Sequence, residues 1–335
     1  MNQPLLSVQD LRVVFPTYAG LVYAVNGMSF DIFPREIFGL VGESGCGKSV
    51  TGLAIARVLP GKGRITSGKI LFDGQDLTAF SEQQMSMVRG RRIAMIFQDP
   101  SSSLNPVFSI GWQIERVIRF HTSVSKAEAL RRAQAMFAAV SLPNPERILS
   151  SYVHELSGGM QQRVMIAMAL ASGAQLLIAD EPTTALDVTI QKQILELLVE
   201  LRQKENLAIM LITHNLGVVA ETCDRVAVAY NGRIVEVGAT GDVLHQCAHP
   251  YTQGLLAALP SPNQRGSELR SIPGGVPSGL VRLPGCPFHP RCPKVMEVCR
   301  TEPPPFFPLE KEGHQAACYL YALDIEKSAG GGVHA

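Results

Sequence analysis

Three short stretches carry residue types at spacings suited to phosphate chemistry. Gly42-Glu43-Ser44-Gly45-Cys46-Gly47-Lys48-Ser49 has the spacing of a phosphate-binding loop, and Val50 continues it into a helical run. Its glycines let the backbone curl so that successive N–H groups face an anion, and a helix start adds positive potential. Lys48 then contacts the outer phosphates of a nucleoside triphosphate and Ser49 ligates Mg²⁺. Cys46 fills a variable position where a small residue is tolerated. Leu176-Leu177-Ile178-Ala179-Asp180-Glu181 is an apolar run ending in two carboxylates. Asp180 suits the Mg²⁺ shell, and Glu181 suits a general base that polarises an attacking water. Alone such a run is weak, since a helix cap looks similar; beside Pro182-Thr183-Thr184-Ala185-Leu186-Asp187 it becomes strong. Ser157-Gly158-Gly159-Met160 opens a helical run and exposes N–H groups without Cβ obstruction, which suits a γ-phosphate. The bland alternative there is an ordinary N-cap serine followed by glycines.

These residues need strands and helices to hold them. Residues up to about 95 alternate β-like runs with turns, and 37–41 is a continuous apolar run suited to a buried strand. Residues 50–59 read as a helix closed by Pro60-Gly61, and 93–97 as another buried strand ending at Gln98. A mainly helical insert is expected from 99 to 155, with 126–140 as one of its helices. Residues 160–171 read as a helix and 208–213 as a strand ending at His214, while 226–230 and 233–237 flank the hairpin signal Asn231-Gly232. Ile190, Ile194, Leu197, Leu198 and Leu201 share one helical face. Beyond Gly241 the composition shifts, and Pro260-Ser261-Pro262 opens a Pro- and Gly-rich tail.

Bulk properties narrow the function classes. The 335 residues are 46% hydrophobic, enough for a large core and more than one domain. Lys plus Arg number 30 against 29 Asp plus Glu, a net charge of +1, which gives nucleic acid no general electrostatic hold. Met1-Asn2-Gln3-Pro4 lacks the basic start and apolar run of a signal peptide. The most apolar stretch, 164–179, is interrupted by Ser172, Gly173 and Gln175, so a cytosolic chain reaching a membrane through partners is expected.

Together the phosphate loop, the Ser-Gly-Gly element and the strand ending in Asp180-Glu181 resemble the ATP-binding cassette (ABC) family, over about residues 5–240. The resemblance implies an α/β fold: a RecA-like P-loop NTPase core over residues 1–240 with an antiparallel β subdomain and a helical subdomain at about 99–170. It implies that two cassettes sandwich ATP, with Ser157, Gly158, Gly159 and Met160 acting on nucleotide held by the opposite chain and Asp187 at the interface. Gln98 is implied as a switch residue sensing Mg²⁺ and water, and His214 as a γ-phosphate contact. Asn215 departs from the family's usual Asp, which implies altered tuning. Phe15 aligns best with the aromatic that stacks on adenine, with Tyr23 and Tyr18 as competitors. With one phosphate loop and no internal repeat, the second cassette must come from another chain.

His249-Pro250-Tyr251-Thr252-Gln253, Leu255-Leu256 and Ser103-Leu104-Asn105-Pro106 resemble the oligopeptide/dipeptide importer subfamily. That implies an ATPase subunit on the cytoplasmic face of the inner membrane, peripheral to it. Its partners would be a related, non-identical cassette, two transmembrane permease subunits and, indirectly, a solute-binding protein, with no nucleic acid. Residues 241–335 form the expected extension, in which Cys286, Cys292, Cys299 and Cys318 run C-x₅-C-x₆-C-x₁₈-C. Four thiolates suit a [4Fe–4S] cluster, favoured by the flanking prolines, or tetrahedral Zn²⁺; free structural thiols are the third alternative. A rival class is a non-transport cassette ATPase acting on nucleic acid or ribosomes, which commonly has two cassettes in one chain, or long coiled-coil or zinc-finger inserts, neither seen here. A kinase is a further rival, opposed by residues 157–160 and His214.

Overall fold

Two long antiparallel strands, β1 (Leu6–Thr17) and β2 (Gly20–Ile32), open the chain. Register shifts, including one between Val8 and Leu11, break their alternation, which is why they read as shorter runs in sequence. The computed structural model describes residues 3–99, 103–184, 186–259 and 271–322. The expected tail opening at Pro260-Ser261-Pro262, together with Pro100, Ala185 and residues 323–335, lies outside the described residues. β3 (Ile37–Val41) is buried throughout and leads through residues 42–47 into α1 (Lys48–Ile55). That helix is shorter than expected, because Arg57 turns left-handed at φ 56° and closes it before the proline. β4 (Arg64–Phe72) and β5 (Gln75–Asp76) complete a four-stranded antiparallel sheet in the order β2-β1-β4-β5.

A capped helix, α2 (Glu82–Val88), leads to β6 (Ile93–Ile96). The expected helical insert follows as α3 (Ile110–Thr122), α4 (Lys126–Ala139), α5 (Pro145–Ser150) and α6 (Gly158–Leu170). β7 (Leu176–Asp180), α7 (Val188–Lys204), β8 (Ala208–Thr213), α8 (Leu216–Thr222), β9 (Arg225–Tyr230) and β10 (Arg233–Ala239) return to the core. Asn231 and Gly232 both take positive φ, 46° and 77°, as the two-residue turn between β9 and β10 requires.

The tail carries α9 (Thr240–His245), α10 (Pro250–Ala257), α11 (Val298–Thr301), β11 (Phe307–Pro308) and β12 (Gln315–Ala316). Its last strands pair onto β10, so the main sheet runs β11-β12-β10-β9-β3-β8-β7-β6. The tail is thus structurally continuous with the core. Strands β9, β3, β8, β7 and β6 are parallel and covered on both faces, which explains their unbroken apolar runs. Successive side chains enter two different cores: Ile37, Leu177, Ile209 and Leu211 pack with the helical insert and tail, whereas Phe38, Leu40, Ile178 and Met210 pack with α1 and the antiparallel sheet. Each fully buried Leu, Ile or Phe contributes about 1.5–3 kcal/mol, so the strand ends carrying the polar residues are rigidly seated.

Candidate functional site

The phosphate loop bridges β3 and α1 at the carboxyl end of the sheet. Gly47 caps α1 at φ 94°, and a Cβ there would lie 2.4 Å from the Ala24 carbonyl oxygen, so only glycine fits. Lys48 is buried, and its Nζ donates to the carbonyl oxygens of Gly42 (2.8 Å) and Glu43 (3.0 Å). An incoming phosphate therefore meets an ammonium already aimed within the loop. Burial pushes the Cys46 thiol up despite nearby Lys48, consistent with a small packing residue. Ser49 Oγ donates to Asp180 Oδ1 at 2.9 Å. These two oxygens, hard donors brought together from α1 and β7, suit Mg²⁺ by donor type.

Glu181 follows Asp180 with φ 47°, a left-handed conformation that turns the chain sharply off the strand. Its N–H donates to Ile212 O at 2.9 Å, and its carboxylate gathers three partners. Gln98 Nε2 (3.2 Å) and Thr184 Oγ1 (2.9 Å) donate to Oε2, and His214 Nδ1 lies 3.0 Å from Oε1. Burial alone would raise the Glu181 pKa; the hydrogen bonds of His214 and Thr184, with the charges of His214 and Lys48, outweigh it and hold the carboxyl below its ordinary value. Burial and the neighbouring Glu181 charge push Asp180 the other way, against the Ser49 hydrogen bond. The proton affinities of these adjacent carboxylates are thus pushed in opposite directions, and Glu181, the one held lower, faces the cavity.

That cavity, about 490 Å³, is lined by Ser44, Gly45 and the run Gly47 to Val50, with Gln98, Glu181, Thr184 and His214. A hollow of similar size, about 510 Å³, lies beside Arg57, but that arginine is engaged by the carbonyl oxygens of Leu77, Thr78 and Phe80. The structure therefore brings together Lys48, Ser49, Gln98, Asp180, Glu181 and His214. Thr184 joins them; its signal was its place three residues after Glu181. Asn215 caps α8, its Oδ1 accepting from the N–H groups of Gly217 (2.9 Å) and Val218 (3.4 Å). A carbonyl oxygen is all this cap needs, which accounts for Asn in place of Asp.

Other expected residues lie apart from the cavity. Phe15 pairs with Val22 on β2 and packs its ring over Gly63; neither it, Tyr18 nor Tyr23 lines the cavity. Ser157, Gly158, Gly159, Met160 and Asp187 do not line it either. Ser157 and Gly158 are exposed, with Ser157 Oγ accepting the Met160 N–H (3.4 Å) as cap of α6, and Asp187 caps α7 through the Ile190 N–H (3.0 Å). Glu43 is tied to the tail: its N–H donates to Tyr251 Oη (2.9 Å), and its carboxylate accepts from Arg291. Tyr251 belongs to the motif at 249–253, but its contact with Glu43 was not foreseen, and nothing local marks Arg291.

Cys286, Cys292, Cys299 and Cys318 converge on one enclosed cavity. Among the described residues, however, no group of three or more His, Cys, Asp or Glu side chains is arranged to hold a metal ion. The described residues therefore lend no metal-ready arrangement to the expected [4Fe–4S] or Zn²⁺ ligation. Burial pushes the thiols of Cys286 to about 12 and Cys318 to about 11, so they are protonated and pack as small apolar groups.

The family match fits this geometry. Residues 25–184 match the ABC transporter family model, and residues 235–299 match the model described as oligopeptide/dipeptide transporter, C-terminal region. The chain is 50% identical to a probable peptide ABC transporter ATP-binding protein of Sinorhizobium fredii, over 94% of each chain. The chain belongs to the ABC transporter ATP-binding family. As a cassette it is also 47% identical to the dipeptide transport ATP-binding protein DppD of Bacillus subtilis over 95% of each chain. With the oligopeptide transport ATP-binding protein OppD of Salmonella typhimurium it shares 50% identity, over 90% of this chain and 89% of that one. Among solved structures, cbiO1 from Clostridium perfringens, part of the ABC transporter complex cbiONQ, superposes with a TM-score of 0.63 at 26% identity. That match covers 73% of this chain and 93% of the other. The dimeric post-hydrolysis cassette MJ0796, bound to ADP and phosphate, shares the fold at 0.63 and 24% identity, over 70% of this chain and 98% of that one. No helix among the described residues is long and apolar enough to cross a membrane.

Proposed function

We propose that this cassette hydrolyses ATP to drive a membrane importer of dipeptides, oligopeptides or a related small solute, bound peripherally at the cytoplasmic face of the inner membrane. The observation that carries this reading is the division of the site. Lys48, Ser49 and Glu181 share one cavity, whereas the Ser157-Gly158-Gly159 element, exposed at Ser157 and Gly158, does not line it. An anion-seeking helix start directed outward is useful to a second cassette's nucleotide. Hydrolysis then requires two chains, the partner being a related cassette.

Lys48 and the N–H groups of the loop hold the triphosphate, Ser49 and Asp180 take up Mg²⁺, and Phe15 or a neighbouring aromatic stacks on adenine. The bound Mg²⁺ supplies positive charge that offsets charge developing on the phosphate oxygens. Gln98, Thr184 and His214 orient Glu181, which accepts a proton as the water oxygen bonds to the γ-phosphorus and the bond to ADP breaks. Binding energy of the sandwiched ATP closes the dimer, and loss of the γ-phosphate reopens it. Two permease subunits receive this motion, with a solute-binding protein delivering cargo on the far side. Phe97, next to Gln98 in the chain, is exposed, as are Val107, Phe108 and Trp112 at the start of the helical insert, with the Phe108 and Trp112 rings stacked at 3.9 Å. Such exposed apolar groups support docking of a permease on this part of the cassette. The test is reconstitution with copurified permease subunits and a panel of loaded binding proteins. Peptide-loaded binding protein should stimulate ATP hydrolysis; stimulation by nucleic acid alone, lost at high salt, would support the rival class instead.

The convergence of four cysteines on one cavity supports a second role for the tail, ligation of a [4Fe–4S] cluster, with Zn²⁺ the alternative. Such ligation needs the thiols to deprotonate and close in. Anaerobically prepared protein should then contain iron and absorb at about 400 nm; protein free of both metals would end this reading.

A further inference from the structure

The phosphate loop itself carries a negative charge, next to but not lining the anion cavity. Glu43 is its second residue, and its side chain is 28% exposed. An unpaired carboxylate there would repel a triphosphate. Its counter-charge comes from 248 positions away: Arg291 Nη1 donates to Oε2 at 2.7 Å and Nη2 to Oε1 at 3.2 Å, a bidentate pair. The Arg291 side chain is only 5% exposed. It is seated by Nε donating to Pro273 O (3.0 Å), Nη2 to Ile272 O (3.2 Å) and Nη1 to Tyr230 Oη (3.3 Å). Tyr251 Oη accepts the Glu43 N–H, and the Tyr23 N–H donates to Gly279 O at 2.8 Å, so the tail grips both the loop and the strand beside it.

We infer that the C-terminal extension is a working part of the nucleotide site, in which Arg291 neutralises Glu43 and Tyr251 holds the phosphate-loop backbone for ATP. Arg291 is a positioning residue: it reaches phosphate only through Glu43. The inference rests on the phosphate-loop reading above and adds that ATP affinity depends on a residue outside the cassette core. By reciprocity, nucleotide binding must also stabilise the docked tail.

Electrostatics give a test of sign. In Arg291→Met the Glu43 charge is left unpaired in the phosphate loop, and ATP affinity should fall about tenfold, equivalent to about 1.4 kcal/mol. Adding Glu43→Gln removes that charge and should restore affinity to within about threefold of the parent, a rescue that simple loss of tail packing cannot produce. Glu43→Gln alone leaves Arg291 as a net positive charge and should bind ATP as tightly as the parent or more tightly at low salt. Affinities are read by titrating a fluorescent ATP analogue into the full chain, with melting temperature recorded alongside. Unchanged affinity in Arg291→Met, or no rescue in the double variant, overturns the proposal. If Arg291→Met does not fold, Glu43→Gln decides: weaker binding overturns the proposal, equal or tighter binding upholds it. A parent chain that binds no ATP sinks the phosphate-loop reading itself, and this proposal with it.

Discussion

Glu181→Gln separates two roles of one side chain. In the parent, Oε2 accepts from Gln98 (3.2 Å) and Thr184 (2.9 Å), and Oε1 lies 3.0 Å from His214 Nδ1. A glutamine with its amide oxygen toward Gln98 and Thr184 keeps both of those bonds. Its NH₂ then faces His214 Nδ1, which accepts once the ring carries its proton on Nε2. The geometry survives, with one bond reversed. What is lost is the negative charge, and hydrogen bonds to a charged group exceed neutral ones by about 1 kcal/mol. Relief of repulsion with Asp180 acts in the opposite direction. The net stability change should be on the order of 1 kcal/mol, a melting shift of no more than about 4 °C. Catalysis loses its proton acceptor, worth about 10²–10⁴-fold, or roughly 3–5 kcal/mol of barrier. Phosphate release should fall by that factor while ATP binding persists, and light scattering should show the closed dimer accumulating with ATP. Turnover within tenfold of the parent, in folded protein, would refute the role given to Glu181.

Three further perturbations test separate parts of the site. A Cβ on Gly159 would sit 2.8 Å from Ile190 Cγ2, so Gly159→Ala should nudge that side chain, add a methyl at the outward helix start, and cut turnover at least about tenfold; ATP affinity of the isolated chain, measured by titration, should not change. Asn215→Ala removes the α8 cap and should cost about 1 kcal/mol in chemical denaturation, whereas Asn215→Asp, which keeps an oxygen acceptor, should cost much less. Burial, opposed by the Glu236 charge, lowers His249 from 6.5 to about 4. Between those values the unfolded chain binds a proton that the folded chain refuses, so stability falls as pH drops through this window, by up to about 3 kcal/mol. His249 caps α10 by accepting the Tyr251 N–H, so His249→Asn keeps a cap and should flatten the melting temperature between pH 6.5 and about 4.

How much of this was legible in the chain differs from element to element. The strand at 208–213 was expected where it is found, and the helix before Arg57 began earlier and ended sooner than its apolar pattern suggested. The reason is that Gly47 and Arg57 set the helix ends by backbone conformation, which hydrophobic spacing does not encode. The four tail cysteines line one cavity, yet residue type and spacing could not say whether the sulfurs stand ready for a metal.

Sequence by itself determined the phosphate loop, the strand ending in two carboxylates and the buried parallel strands, because each depends on residue types within a few positions of one another. Tertiary structure alone decided which groups meet Glu181: Gln98 and His214 reach it across 83 and 33 positions. It also decided that Arg291 neutralises Glu43. Those distances follow from sheet register and the packing of two cores against it, a global property that no local preference of the chain contains.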